Sequence, residues 1–214
     1  MNASRAKAQT YIKGLIDLAI KLVMNPADFF RTMPKTGGVI DPLLYVVMAA
    51  LLSVVISAVE SSILYGAGVH DLAMLLIWLI IVPLIAAIMS FFVAAVCFAI
   101  WSFTGSSENY EASYRCLAYM HILMPITILL SFVPYLGLLG IAWWFYLMLV
   151  ATREAHKISI KPALPVFGII AALSGLIYYN SVSSEIQSRE RLKEFTKELQ
   201  KMPGKNDMGS PASR

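Results

Sequence analysis

The chain has 214 residues, 58% of them hydrophobic and only 14% charged, whereas soluble domains carry about 25% charged residues. That composition excludes an ordinary soluble globular domain and points to an all-α integral membrane bundle. The formal net charge is +4, and 13 of the 17 Lys and Arg lie up to Lys35 or after Phe167, so the excess flanks the apolar middle. There it sets topology and meets anionic headgroups, and nucleic acid is not the expected partner.

Lys13, Asp17 and Lys21 recur every four residues near the N-terminus, which argues against a cleavable signal peptide. Residues 8–24 read as an amphipathic interfacial helix, with Ile12, Leu15, Ile16, Ala19 and Val23 opposite the charged stripe. Asn25 and Pro26 supply a helix cap and a first helical position. The short helix they open carries Phe29 and Phe30, expected at the membrane interface or packed beneath the bundle. Residues 1–41 form this N-terminal segment.

The membrane domain is expected over residues 42–181. Asp41 and Pro42 open a first span at about 43–65, in which Ala49, Ser53, Ser57 and Ser61 form a stripe of small residues suited to close helix approach. The apolar residues 73–103 hold the second, with Pro83 expected to set off an interfacial or bent piece carrying Trp78 at the boundary. Gly105 can end this helix, and Ser106 or Ser107 can begin the next. Residues 115–152 divide at Pro134, Gly137 and Gly140 into spans at about 116–133 and 135–152, each short enough that a re-entrant hairpin is the alternative. A charged loop at 153–161 leads to a last span at about 162–180.

Residues 182–214 read as an amphipathic helix with Leu192, Phe195, Leu199 and Met202 on one side, then a disordered tail from Pro203. Five spans are expected. The N-terminal segment holds six Lys or Arg, the turn at Arg115 one and the 153–161 loop three, so the N-terminus is expected in the cytoplasm. Five spans then leave the C-terminal segment, with its seven Lys and Arg, on the far side. That arrangement conflicts with the charge rule, and an even span count would remove the conflict.

The segments NPADFFRTMP, SFTGSSENYEASYRCLAY and HKISIKPAL, with Pro125, Pro134 and Trp144 between the last two, together resemble the Yip family of membrane proteins. The likeness covers roughly Asn25 to Tyr179. It implies a cytoplasmic N-terminal segment, about five spans, and an adaptor or organiser of membranes. Eukaryotic members bind Ypt or Rab GTPases, but their Asp-Leu-Tyr-Gly-Pro motif and long N-terminal domain are absent here. Rab binding is therefore not carried over, and the chain is similar to a bacterial-type member, expected in the bacterial inner membrane.

Several polar residues remain as candidates. Glu60 is the one acidic residue inside an expected span and lies near its end, where it suits either an ion site or interfacial water. Glu108, Glu111, Arg115 and Tyr119 share a helix face by spacing, and Glu111 and Arg115 can pair or simply form a solvated helix start. His121 precedes Pro125 by four residues and is placed to bond a backbone group freed by the proline. Cys97 and Cys116 read as packing residues. The three histidines share no metal-ligand spacing, and no HExxH, GxSxG or phosphate-loop motif occurs. No metal, cofactor or catalytic residue is expected.

The reading is a noncatalytic multi-pass protein whose partners are the lipid bilayer and either another membrane protein or further copies of itself. The alternative is a small transporter or channel using polar residues around Glu60 and Arg115.

Overall fold

A computed structural model of the chain describes residues 13, 14, 16–65 and 72–201, with side chains at 13, 14, 16–63 and 74–198. Ile12, Leu15, His70, Asp71 and the tail from Pro203 lie outside the described residues, as do the side chains of Leu199 and Met202. The described residues are helical, with no strand among them: α1 (16–24), α2 (Pro26–Thr32), α3 (Ile40–Tyr65), α4 (Leu72–Phe103), α5 (Tyr110–Met120), α6 (Leu123–Ser131), α7 (Leu138–Glu154) and α8 (Ile160–Lys201). The chain divides into two units, Met1–Gly175 and Leu176–Arg214.

Local chemistry explains the boundaries. The Asn25 side chain accepts the Asp28 N–H and Pro26 occupies the first turn of α2. Pro83 does not separate a segment: it sits inside one continuous 32-residue helix, α4, where neighbouring chain can compensate the lost N–H. Gly105, at φ 102°, ends α4. Its N–H bonds the Ser102 carbonyl and the Ser106 N–H bonds that of Trp101, the paired closure that favours glycine in the left-handed region. Asn109, not Ser106 or Ser107, caps α5 by accepting the Ala112 N–H.

The third passage through the bundle is broken at His121 and Ile122. Pro125 has no N–H for the His121 carbonyl, and its ring crowds that group. The backbone responds with tighter bonds, His121 N–H to Ala118 O and Met124 N–H to His121 O. Imidazole Nδ1 of His121 lies 2.9 Å from the Leu117 carbonyl, so the side chain serves a carbonyl one turn back, not the one the proline frees. A turn at 132–137 containing Pro134 leads to α7.

α3 packs against α4, α5 and α6, and α7 against α2 and α6. Gly168 and Gly175 of α8 face Phe145 and Leu138 of α7, so these helices run antiparallel. Among the described residues four stretches are long and apolar enough to cross a membrane: Ile40–Ile63, Met74–Phe103, Tyr110–Ser131 and Ile160–Glu198. With 17 residues, α7 stands at the short limit for a crossing, about 17–25 residues.

Large apolar side chains such as Ile80, Leu84, Ile88 and Phe92 on α4 are more than half exposed, as expected of a surface facing hydrocarbon. The buried core lies elsewhere, around Phe30, Trp101, Tyr114, Leu147 and Phe167. In the second unit, the rest of α8 exposes Leu192 and Phe195.

Candidate functional site

One end of the first unit gathers most of its buried polar groups. The loop before α3, the end of α4, the start of α5 and the end of α7 meet there. Lys35 pairs with Glu108. Arg31 Nε donates to Glu154 at 2.9 Å, and the guanidinium holds that carboxyl below its ordinary value. Arg115, 4% exposed, bonds Glu111 at 3.1 Å through Nε and the Gly38 carbonyl at 2.6 Å through Nη2. Glu111 in turn accepts the Gly38 N–H at 2.7 Å. The loop is thereby tied at both of its backbone groups, since a buried guanidinium is tolerated only when its hydrogen bonds are met.

Beside this lies a second network. Trp101 Nε1 donates to Thr152 Oγ1 at 2.8 Å, and the Thr152 hydroxyl in turn donates a hydrogen bond to the Met148 carbonyl at 2.7 Å. The indole stacks on His156 with ring centres 3.9 Å apart. His156 Nδ1 lies 2.8 Å from Ser106 Oγ, which also accepts the Glu108 N–H. Burial, with the nearby charge of Lys35, lowers the His156 pKa to about 4. A serine within reach of a neutral histidine has the spacing of a nucleophile and base. However, among the described residues His156 Nε2 is buried with no hydrogen-bond partner, whereas in an acyl-transfer site a third group bonds the second ring nitrogen and orients the ring. The pair acts as a fastening between α4 and the end of α7.

The candidates separate into three places. Glu111, Arg115 and Tyr119 belong to this end, but as a buried assembly and not a solvated helix start. Tyr119 packs edge-on against Phe29 and Tyr45, each with ring centres 5.5 Å apart. Phe29 and Phe30 are 3% and 0% exposed, so they lie beneath the bundle and not in the headgroup layer. The edge-to-face stack of Phe29 with Tyr119 accounts for the inward position.

Glu60 sits elsewhere, with Ser131 Oγ at 3.3 Å. About 20 residues of α3 separate it from the Arg115 contact at Gly38, or roughly 30 Å at 1.5 Å per residue. Glu60 and Arg115 therefore do not share a cavity.

The third place is a pair of hollows. Ala49 and Ser53 of the small-residue stripe are buried, and Ser53, Ser57 and Ser61 line an open groove of about 330 Å³ with Trp78, which is half exposed. A larger chamber of about 570 Å³, more open at its mouth than the groove, lies between α4, α5, α6, α7 and the first part of α8, and His121 lines it. Among the described residues no group of three His, Cys, Asp or Glu side chains is placed to hold a metal ion.

Lys35, Trp101, Thr152 and the contact of Ser106 with His156 were not singled out by spacing, because each contact joins residues far apart in the chain. The available signal was collective. Residues 25–34, 102–119 and 156–164 carry the family likeness, and all three reach this end.

No curated protein and no solved structure matches the chain. The model of the Yip1 domain matches residues 20–179, a stretch that contains every residue of the polar end, and proteins of that family are generally not enzymes. By this match over most of its length, the chain is a multi-pass membrane protein that belongs to the Yip1 domain family.

Proposed function

We propose that this protein is a noncatalytic organiser or adaptor of a bacterial inner membrane, crossing it five times with the polar end in the cytoplasm. The convergence of residues 25–34, 102–119 and 156–164 on one end carries this reading. Ion pairs and a buried aromatic stack fasten that end into a fixed surface, and a pre-ordered surface lowers the entropic cost of binding a partner. Arg31, Lys35, Arg153, Lys157 and Lys161 all lie in the segments that form this end, and by the charge rule this supports a cytoplasmic side for it. Their charge also suits contact with anionic headgroups.

Five crossings count α7 as a short span and put the residues after the fifth on the opposite side. The partner is proposed to be another membrane protein or a second copy of this chain. No Rab partner is proposed, since the eukaryotic motif is missing.

Photo-crosslinking from Thr36 and Ser107, both exposed, in intact cells tests the adaptor role. A reproducible protein adduct from these sites is expected. Repeated absence of one, with efficient labelling of lipid, would count against it. The transporter alternative has no joint site for Glu60 and Arg115 to support it, and Glu60→Gln is expected to leave ion flux in proteoliposomes unchanged.

A further inference from the structure

The chamber behind His121 has a size and lining that restrict what can occupy it. At about 570 Å³ it falls within the range of small-molecule sites, about 300–1,000 Å³. A transmembrane helix about 10 Å across would exceed it several-fold. Among the described residues no carboxylate, lysine or arginine lines it, and its polar side chains are Ser90, His121, Thr127 and Ser174, so an ion would lose hydration with no opposite charge to replace it. Its rim includes Met89 and Val93 of α4, 45% and 37% exposed, on a helix whose outer surface faces hydrocarbon. Entry is therefore from the bilayer.

The polar groups on the wall narrow the chemistry further. Because its partner is the Leu117 carbonyl, His121 Nδ1 must carry the proton, and Nε2 of the neutral ring is then an acceptor. His121 lines the chamber, so Nε2 is the ring nitrogen left free to accept at the break between α5 and α6, where Pro125 fixes the interruption. Thr127 lies on the same wall, with its hydroxyl oxygen turned to Gly140. An ester-linked acyl chain has no proton to offer Nε2. A chain ending in O–H does.

We propose that the chamber binds one long-chain amphiphile bearing an O–H group, a fatty alcohol or a protonated fatty acid, with the chain between α4 and α7 and the O–H donated to His121 Nε2. Nothing in this assignment depends on the adaptor role.

The test uses the full chain in phosphatidylcholine nanodiscs with three diazirine probes of equal length: hexadecanol, hexadecanoic acid and hexadecane. Saturable labelling of residues 86–93, 117–128 and 140–144 by the alcohol, the acid or both is expected, and which probe labels identifies the source. Met89→Trp, which narrows the rim, and His121→Phe, which removes the acceptor, should each lower that labelling roughly fivefold, about 1 kcal/mol. Labelling at the outward residues Leu164 and Ile169 should not change. Should His121→Phe fail to fold, Met89→Trp still decides entry and the hexadecane comparison still decides the polar contact. Equal labelling of chamber and outward faces, labelling unaffected by Met89→Trp, or hexadecane labelling as strong as that of the polar probes would overturn the proposal.

Discussion

The ring of Trp101 lies over that of His156 at 3.9 Å between centres, inclined by 24°, and joins the end of α4 to the turn after α7. Trp101 is fully buried, so Trp101→Ala removes the stack, the Thr152 hydrogen bond and a large apolar volume together. A loss of about 3–5 kcal/mol is expected. Trp101→Phe should cost less, about 1–2 kcal/mol, because Thr152 keeps its bond to Met148. Denaturation midpoints in detergent micelles check the ranking, and equal losses would show that the aromatic stack and the apolar volume that phenylalanine keeps contribute nothing, against this account.

His156 gives this end a pH dependence of definite sign. Its pKa is lowered from 6.5 to about 4, by burial first and by Lys35 second, so between these values the unfolded chain binds the proton and the folded one does not. Stability is fully present above about pH 6.5 and is lost progressively as pH falls towards 4, by roughly 3 kcal/mol. Denaturation series between pH 7 and pH 4 measure the slope. His156→Phe keeps a ring against Trp101 and should flatten it.

Arg115 should resist substitution by lysine. It reaches Glu111 and the Gly38 carbonyl through different nitrogens of one plane, which a single ammonium does not reproduce. Arg115→Met is expected to cost about 2–3 kcal/mol, below the 3–5 of a fully buried pair because Glu111 retains some solvent. Arg115→Lys should recover less than half of that loss in the same assay. Gly37→Ala should also destabilise, since the residue has φ 121° and a Cβ there would lie 3.0 Å from the Arg115 guanidinium.

Gly140 and Thr127 set how closely α6 and α7 approach. A Cβ at Gly140 would come within 2.8 Å of Thr127 Cγ2, so Gly140→Ala is expected to cost about 1–3 kcal/mol. Thr127→Ala in the same chain should restore much of it. A double-mutant cycle reads this as coupling, and additive losses would show that the two residues act separately.

Local chemistry made much of the fold legible. The Asn25 and Pro26 start of α2, the Gly105 stop of α4 and the turn around Pro134 each depend on a few neighbouring residues. Breaks governed by tertiary context were not: Pro83 is absorbed into a continuous α4, while Pro125 interrupts its helix at His121. The same limit applied to the polar end. The Glu111 and Arg115 pair lies within one turn and could be read from spacing. Lys35 with Glu108 and Trp101 with Thr152 join distant parts of the chain, so no spacing announces them. Burial of Arg115 also escaped a local reading, because the loop at Gly38 that covers it is 77 positions away.

Sidedness of single cysteines tests most directly whether this is a five-pass protein with its polar end in the cytoplasm. The endogenous thiols at Cys97 and Cys116 are buried and give a quiet background. Ser107→Cys and Lys157→Cys should react with an impermeant maleimide only in inverted vesicles. Val133→Cys in the far turn and Ser210→Cys in the C-terminal segment should react only from the outside of intact spheroplasts. Labelling of Ser107 and Ser210 from the same side would make the number of crossings even and would contradict the account.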